Sequence, residues 1–160
     1  MEDKARYFWA AARIGLGWTF LWAFLDKLFG LGFSTPPNQS WLAGGSPTAG
    51  YLKAATAGPL SGLYHSLAGN PVVDWLFMLG LLGLGVALLL GIGMKIAGYA
   101  GPLLMLLLWS SHLPPAQNPI LDQHIIYALT LPGLSAVKAG QTWGLGKWWA
   151  GVVRGIPILE

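Results

Sequence analysis

The chain lacks cysteine altogether and carries little charge. None of its 160 residues is a cysteine, and only 9% are Asp, Glu, Lys or Arg. The missing thiol excludes disulfides, iron–sulfur ligation, zinc–thiolate sites and thiol relays, so any redox chemistry must use a bound cofactor or a partner chain. The scarcity of charge excludes an ordinary soluble domain, which typically carries about 25% charged residues.

Apolar residues take up the rest of the composition. They make up 54% of the chain, and the mean hydropathy is +0.56. Many of the nine tryptophans lie near the ends of apolar runs, where amphipathic rings prefer the headgroup zone of a bilayer. The net charge of +3 raises the alternative of a nucleic-acid partner. However, the basic residues are scattered, so we expect no nucleic acid and interpret the protein as an integral membrane protein.

Four apolar segments are long enough to cross about 30 Å of hydrocarbon, which takes roughly 20 residues of helix. They cover about residues 7–29, 71–93, 95–112 and 119–139. The runs are continuous rather than alternating, which favours helices over barrel strands. The sequence therefore predicts an all-α membrane protein, in which residues 1–160 form a single membrane domain built as a four-transmembrane-helix bundle.

The basic residues predict the orientation of this bundle. Most of them lie at three places that share one side: Lys4, Arg6 and Arg13 near the first span, Lys95 between spans two and three, and Lys138, Lys147 and Arg154 after span four. The other side holds Lys53, with Lys27 at its margin. By the positive-inside rule, both termini and the tail 140–160 are cytoplasmic in a multi-pass protein.

The first extracytoplasmic loop, residues 30–70, is too long for a simple connector. Ser46, Pro47 and Thr48 resemble a helix start, with a capping residue followed by proline. Farther on, four residues repeat at helical spacing: Leu60, Leu63, Tyr64 and Leu67. We expect one or two short interfacial helices here, lying on or dipping into the outer leaflet.

Small residues predict where the membrane helices pack, because they let backbones approach closely. The predicted seams are Ala12, Gly15, Thr19, Ala23 and Asp26 in span one, Gly80, Gly83, Ala87 and Gly91 in span two, and Gly98, Gly101, Met105, Trp109 and His112 in span three. They are also candidates for a contact between two copies of the chain.

Spans two and four begin alike, with Asn70-Pro71 before Asp74 and Asn118-Pro119 before Asp122. Asparagine suits the N-cap, proline suits the first helical position, and aspartate suits the positive end of the helix dipole. The likeness fits either a repeated helical hairpin or common capping rules.

Ionisable side chains gather toward the outer end of the predicted bundle. They are Asp26, Lys27, His112, Asp122 and His124. Because charge at membrane depth is costly, such residues normally face the bundle interior and find a partner. The alternative is that they cap helix ends or extend to the headgroups. Two histidines flanking a loop are not enough to assign a metal or haem, so we assign no metal.

Arg13 lies on the opposite side, about two turns into span one. Two interpretations are open. Its guanidinium can extend to the cytoplasmic headgroups and anchor the topology, or it can contact a substrate.

Several short motifs occur in a familiar order. They are Arg13–Gly17, Leu25–Gly30, Trp41–Thr48, Val73–Met78, Leu113–Pro115 and, around span four, Asn118-Pro119 and Asp122–Leu129. Together they resemble the DoxX/DoxD family, which includes the membrane subunit of thiosulfate:quinone oxidoreductase. The resemblance covers about residues 6–149. It implies a four-helix protein of a prokaryotic cytoplasmic membrane, a quinone cofactor, a second subunit, and oxidation of thiosulfate with electrons passed to the quinone pool.

Under this hypothesis the residues take three roles. The outer ionisable set Asp26, Lys27, His112, Asp122 and His124 exchanges protons with the quinone, and Trp109 and Tyr127 pack against its ring. Lys53, Ser46 and Arg13 are candidates for binding the thiosulfate dianion, with Ser46 in a capped turn that suits anions.

Two other functions remain open. A non-catalytic scaffold for redox partner proteins needs only the seams and the exposed loop. A small transporter would use the polar cluster as its vestibule, but the cytoplasmic halves of the spans show no continuous polar path besides Arg13.

Overall fold

The computed structural model describes residues 2–115 and 118–160. Within these ranges the chain forms seven α-helices, four short 3-10 helices and no strand. The helices are α1 (Glu2–Phe29), α2 (Ala49–Ala54), α3 (Ser61–Leu67), α4 (Pro71–Leu90), α5 (Met94–Ser110), α6 (Gln123–Ala136) and α7 (Gly146–Val152). The all-helical prediction is confirmed for the described residues.

Two of these helices, α1 from Lys4 onward and α4, are long and apolar enough to cross a membrane by length and composition. The apolar helix α5 is shorter, and α6 has only 14 residues. The structure therefore supplies two candidate spans by this criterion, where the sequence predicted four.

The helices pack as two antiparallel pairs. Helix α1 lies along α4, α5 lies along α6, and the pairs meet mainly through α4 and α5. In the first pair the backbones approach at Gly17 and Gly85. A Cβ atom built on Gly17 would lie 2.8 Å from the Leu89 nitrogen, and one on Gly85 would lie 2.8 Å from the Leu21 nitrogen. Only glycine permits these approaches.

The packing seam predicted for α5 is correct, whereas those predicted for α1 and α4 are partly wrong. Gly98 and Gly101 of α5 are buried, with α6 against them. In contrast, Ala12 and Gly15 of α1 and Gly83 of α4 are exposed. Small residues occur on several faces of these two helices, so their spacing alone did not identify the packed face.

The predicted start of span four at Pro119 is wrong, because α6 begins at Gln123. The Asn118 side chain accepts hydrogen bonds from the Ile120 and Leu121 amides, as a capping asparagine does, but no helix follows. Asp122 is the N-cap instead, and its Oδ1 accepts from the His124 amide at 2.9 Å. The two similar sequences around Asn70 and Asn118 thus fold differently.

Residues 30–70, which we call the outer loop, contain short helices as predicted. The tail, residues 140–160, contains one as well. Helices α2 and α3 lie within residues 30–70, and α7 lies in the tail. The tail folds back onto the turn between α4 and α5. The Leu145 amide donates to the Leu90 carbonyl at 2.7 Å, and the Lys95 ammonium lies 3.4 Å from the Glu160 carboxylate.

Candidate functional site

Three aspartates lie at the same end of the two helix pairs. Asp26 is near the end of α1, Asp74 is in the first turns of α4, and Asp122 caps the start of α6. The antiparallel packing brings these helix ends together with the outer loop. We call this the loop end of the protein.

The Asp26 carboxylate holds a turn of the outer loop. It is 1% exposed and accepts hydrogen bonds from the Phe33 amide at 3.2 Å, the Ser34 amide at 2.9 Å and the Ser34 hydroxyl at 2.6 Å. The Lys27 ammonium donates to the same Ser34 hydroxyl at 3.3 Å. Asp26 is therefore inward-facing, as expected, but its contacts are those of a residue that fixes a loop.

Asp74 does the same for a second turn. It is buried and accepts from the Ser46 hydroxyl at 2.9 Å and from the Thr48 amide and hydroxyl. The Ser46 hydroxyl, a predicted thiosulfate contact, thus donates to a carboxylate of the protein itself. A carboxylate already occupies the anion position at this turn, and a dianion there would be repelled.

Asp122 has different partners, because two imidazole rings converge on it. Its Oδ2 lies 3.0 Å from His112 Nε2 and 2.7 Å from His124 Nδ1. All three side chains are between 16% and 22% exposed. Burial raises the pKa of Asp122, but the hydrogen bonds from His124, His112 and the Ile125 amide outweigh it, so the pKa lies below its ordinary value. Among residues 2–115 and 118–160, this is the only place where three or more His, Cys, Asp or Glu side chains lie close enough together to hold a metal ion.

The outer loop holds His112 in place. Its Nδ1 lies 2.8 Å from the Leu108 carbonyl oxygen and 3.3 Å from the Tyr51 hydroxyl. Tyr51 comes from α2, and its hydroxyl also lies 2.8 Å from the Ser111 hydroxyl. Burial raises the pKa of Tyr51 above its ordinary value. The hydroxyl therefore stays protonated at neutral pH and acts as a donor.

The backbone of the loop pairs with the chain around His112. The Ala57 amide donates to the Ser111 carbonyl at 3.0 Å. Gly58 follows with a φ of +76°, and a Cβ atom there would lie 1.7 Å from the Leu113 oxygen. Glycine is needed at this position both for its backbone conformation and for the close approach.

A partly open cavity of about 1360 Å³ runs between the two helix pairs. Apolar side chains of α1, α4 and α5 line most of it. Tyr51, His124 and Tyr127 line it as well and supply polar groups, and Tyr127 packs edge to face against Phe20 with ring centroids 6.4 Å apart. The cavity thus combines a large apolar volume with hydroxyl, amide and imidazole groups and with the ammonium of Lys27.

The remaining candidates lie elsewhere. Trp109 is not among the cavity residues, and its indole nitrogen donates to the Ile120 carbonyl at 3.0 Å. Lys53 is exposed on α2. The three residues assigned to thiosulfate, Lys53, Ser46 and Arg13, do not come together.

Arg13 is fully buried at the opposite end. Its guanidinium donates to the carbonyls of Leu88 and Leu89 in the last turn of α4 and to those of Thr142 and Trp143 in the tail. These α4 carbonyls have no partner within their own helix. The interpretation of Arg13 as a side chain extending to the headgroups is therefore wrong, since it caps a neighbouring helix.

Sequence reasoning missed two residues of the loop end, Asp74 and Tyr51. Asp74 was interpreted only through the helix dipole, and nothing local to it indicates that Ser46 and Thr48 return to it. Tyr51 carries no signal beyond being a polar aromatic residue next to a predicted short helix.

The chain matches no family model, no curated protein and no solved structure. Any assignment of function therefore rests on the sequence and on the geometry described above.

Proposed function

We propose that the protein crosses the membrane four times, through α1, α4, α5 and α6, with both termini in the cytoplasm. The outward faces of all four helices support this. Large apolar side chains that do not line the cavity are exposed on each: Phe8 and Trp18 on α1, Val72 and Trp75 on α4, Tyr99 and Leu106 on α5, and Ile126 and Leu129 on α6. A soluble protein rarely exposes apolar surface of this extent.

Burial within the two candidate spans points the same way. In the apolar 18-residue stretch of each helix, only 22% of the α1 residues and 33% of the α4 residues are buried. The core helix of a soluble protein, in contrast, is mostly buried. The short helices α5 and α6 would reach about 25 and 21 Å at 1.5 Å per residue. Local thinning of the bilayer at modest cost accommodates such lengths.

Within this bundle we propose a quinone site, and with it the role of a DoxX/DoxD-like membrane subunit of a quinone-linked oxidoreductase. The cavity between the helix pairs is the observation that carries the proposal. Its apolar walls suit an isoprenoid tail, and its partly open volume of about 1360 Å³ leaves room for one.

The polar residues of the cavity suit the quinone head group. A quinone carries two carbonyl oxygens, each of which accepts a hydrogen bond, and the hydroxyl of Tyr127 is a donor. Lys27 and His124 also line the cavity. Reduction to the quinol takes up two electrons and two protons, so a proton-exchanging group beside the cavity is required. Lys27 fills that role in this proposal.

The other half of the reaction is the oxidation of the electron donor. With thiosulfate, two dianions are oxidised to one tetrathionate and release two electrons, and these electrons together with two protons taken up from water convert the quinone to the quinol. The chain has no cysteine to carry sulfur, and its three proposed anion-binding residues lie apart. We therefore place thiosulfate oxidation on a second subunit, with this chain supplying the quinone site.

Quinone reduction in proteoliposomes tests this assignment. The chain is reconstituted with and without candidate partner proteins, and thiosulfate-dependent quinone reduction is followed optically. Tyr127→Ala should lower the rate by more than about tenfold, because it removes a cavity wall and a donor. Tyr99→Ala is the matched control, since Tyr99 is 72% exposed and does not line this cavity. Equal rates in the two variants would remove the cavity from the mechanism.

A further inference from the structure

His112, Asp122 and His124 form a more ordered cluster than proton exchange with a quinone requires. Their ligand atoms all lie within 4.8 Å of one another. The rings of His112 and His124 are 5.2 Å apart at an angle of 61°, so both face the same carboxylate. In a tetrahedral site with bonds of 2.0–2.2 Å, neighbouring ligand atoms lie roughly 3.4 Å apart. Side-chain shifts of an ångström or less would bring these three atoms to that spacing.

The protonation of His112 adds a second argument. A carbonyl oxygen only accepts hydrogen bonds, so the 2.8 Å contact between His112 Nδ1 and the Leu108 oxygen places a proton on Nδ1. In the neutral ring, Nε2 is then an acceptor. It nevertheless faces the Asp122 carboxylate oxygen at 3.0 Å. In this tautomer the Nε2 lone pair points at the carboxylate, which is the arrangement that two ligands of one metal ion need.

The surroundings are those of a metal site rather than a bare ion pair. Metal-ligating histidines usually donate their other ring N–H to a carbonyl or carboxylate, which fixes the tautomer, and His112 does so to Leu108. The Asp122 carboxylate is fixed as well. Its Oδ1 accepts the amides of His124 at 2.9 Å and Ile125 at 3.3 Å, which leaves Oδ2 to the two imidazoles.

We propose that His112, Asp122 and His124 bind a divalent first-row transition-metal ion, such as Zn²⁺, through two imidazole nitrogens and one carboxylate oxygen. Three protein ligands leave further coordination positions for water or a small ligand. His124 also lines the large cavity, so these positions would adjoin it. The proposal stands on the ligand geometry and does not depend on the quinone assignment.

Metal binding to the purified full chain tests the proposal directly. The protein is prepared in detergent with a histidine-free affinity tag, stripped with a chelator and titrated with Zn²⁺ by equilibrium dialysis. We expect a saturable site that His112→Ala and His124→Ala each weaken by more than about tenfold. Asp122→Asn should weaken it too, while its amide oxygen still caps α6.

The third histidine of the chain provides a matched control. His65 is exposed on α3, so His65→Ala should leave Zn²⁺ affinity unchanged. Absence of a saturable site, undiminished affinity in His124→Ala, or loss of affinity in His65→Ala would each overturn the proposal. A hydrogen-bonded imidazolium–carboxylate pair would then account for the cluster.

A measurement on the unmodified chain covers the case in which a variant fails to fold. X-ray absorption of the Zn²⁺-loaded protein should show two imidazole ligands with nitrogen and oxygen donors only. A spectrum with fewer than two imidazoles would contradict the site. Neither readout involves quinone, so failure here is distinguishable from failure of the proposed function.

Discussion

The guanidinium of Arg13 in α1 donates a hydrogen bond to the carbonyl of Leu88, 75 residues later in the chain. Leu88 lies in the last turn of α4, whose carbonyls have no donor within the helix. The same guanidinium also reaches the carbonyls of Leu89, Thr142 and Trp143. A single side chain thereby joins α1, the end of α4 and the start of the tail.

Removing this guanidinium should destabilise the protein. Arg13→Met leaves buried carbonyls without a donor, and we expect a loss of about 3 kcal/mol, since hydrogen bonds to charged groups contribute about 1.5–3 kcal/mol. Thermal unfolding in detergent measures the loss. Arg154→Met is the control, because Arg154 is exposed and the same change there should stay within about 0.5 kcal/mol. Equal effects at both sites would show that Arg13 is not a structural link.

The aspartates of α1 and α4 should each protect their own segment of the outer loop. Asp26→Asn weakens the hold on Phe33 and Ser34, so chymotrypsin should cut faster after Phe33. Asp74→Asn weakens the hold on Ser46 and Thr48 and should speed cleavage in residues 41–51 instead. Limited proteolysis read by mass spectrometry compares the two variants, and each serves as the control for the other. The same cleavage pattern in both would contradict the claim that Asp26 and Asp74 hold different segments of the outer loop.

Packing between α1 and α4 should depend on one glycine and not on its neighbour two residues away. A Cβ atom on Gly85 would lie 2.8 Å from the Leu21 backbone, whereas one on Gly83 would meet nothing within 4 Å. Gly85→Ala should therefore cost about 1–3 kcal/mol through overpacking. Gly83→Ala should be neutral or stabilising, because alanine favours the helix. The free energies of unfolding of the two variants measure this difference. Equal values would contradict the claim that α1 packs against the Gly85 face of α4.

The four-span topology can be tested with single cysteines, since the chain has none of its own. Ser66→Cys and Pro119→Cys should react with a membrane-impermeant maleimide added outside intact cells, and Lys147→Cys only after permeabilisation. Pro119 is the decisive position. If only α1 and α4 crossed the membrane, residue 119 would lie in the cytoplasm and stay protected.

Hydropathy predicted the helical fold and the existence of α1, α4, α5 and α6. It did not predict where α6 begins, because Asn118 makes the same local cap as Asn70 while the chain after it stays extended. Asp122, four residues later, caps α6 through the amides of His124 and Ile125, and the local pattern does not say which of the two caps starts the helix.

The candidate site could be predicted only in part. The cost of charge at membrane depth placed Asp26, His112, Asp122 and His124 at one end, where the structure has them. It could not show that Asp26 is committed to Ser34, since that contact depends on how the outer loop returns to α1. Arg13 was interpreted as a headgroup anchor or a substrate contact for a related reason, because its acceptors are backbone carbonyls that no side-chain pattern reveals.

The central claim is that the cavity between the helix pairs holds a quinone, and the quinone content of purified protein tests it most directly. The matched variants are Ala23→Phe, which places a ring in the cavity, and Ala11→Phe, on the exposed face of the same helix. We predict a stoichiometric amount of extractable quinone in the unmodified protein and in Ala11→Phe, and its loss in Ala23→Phe. Unmodified protein that is free of quinone, or equal amounts in both variants, would contradict the claim.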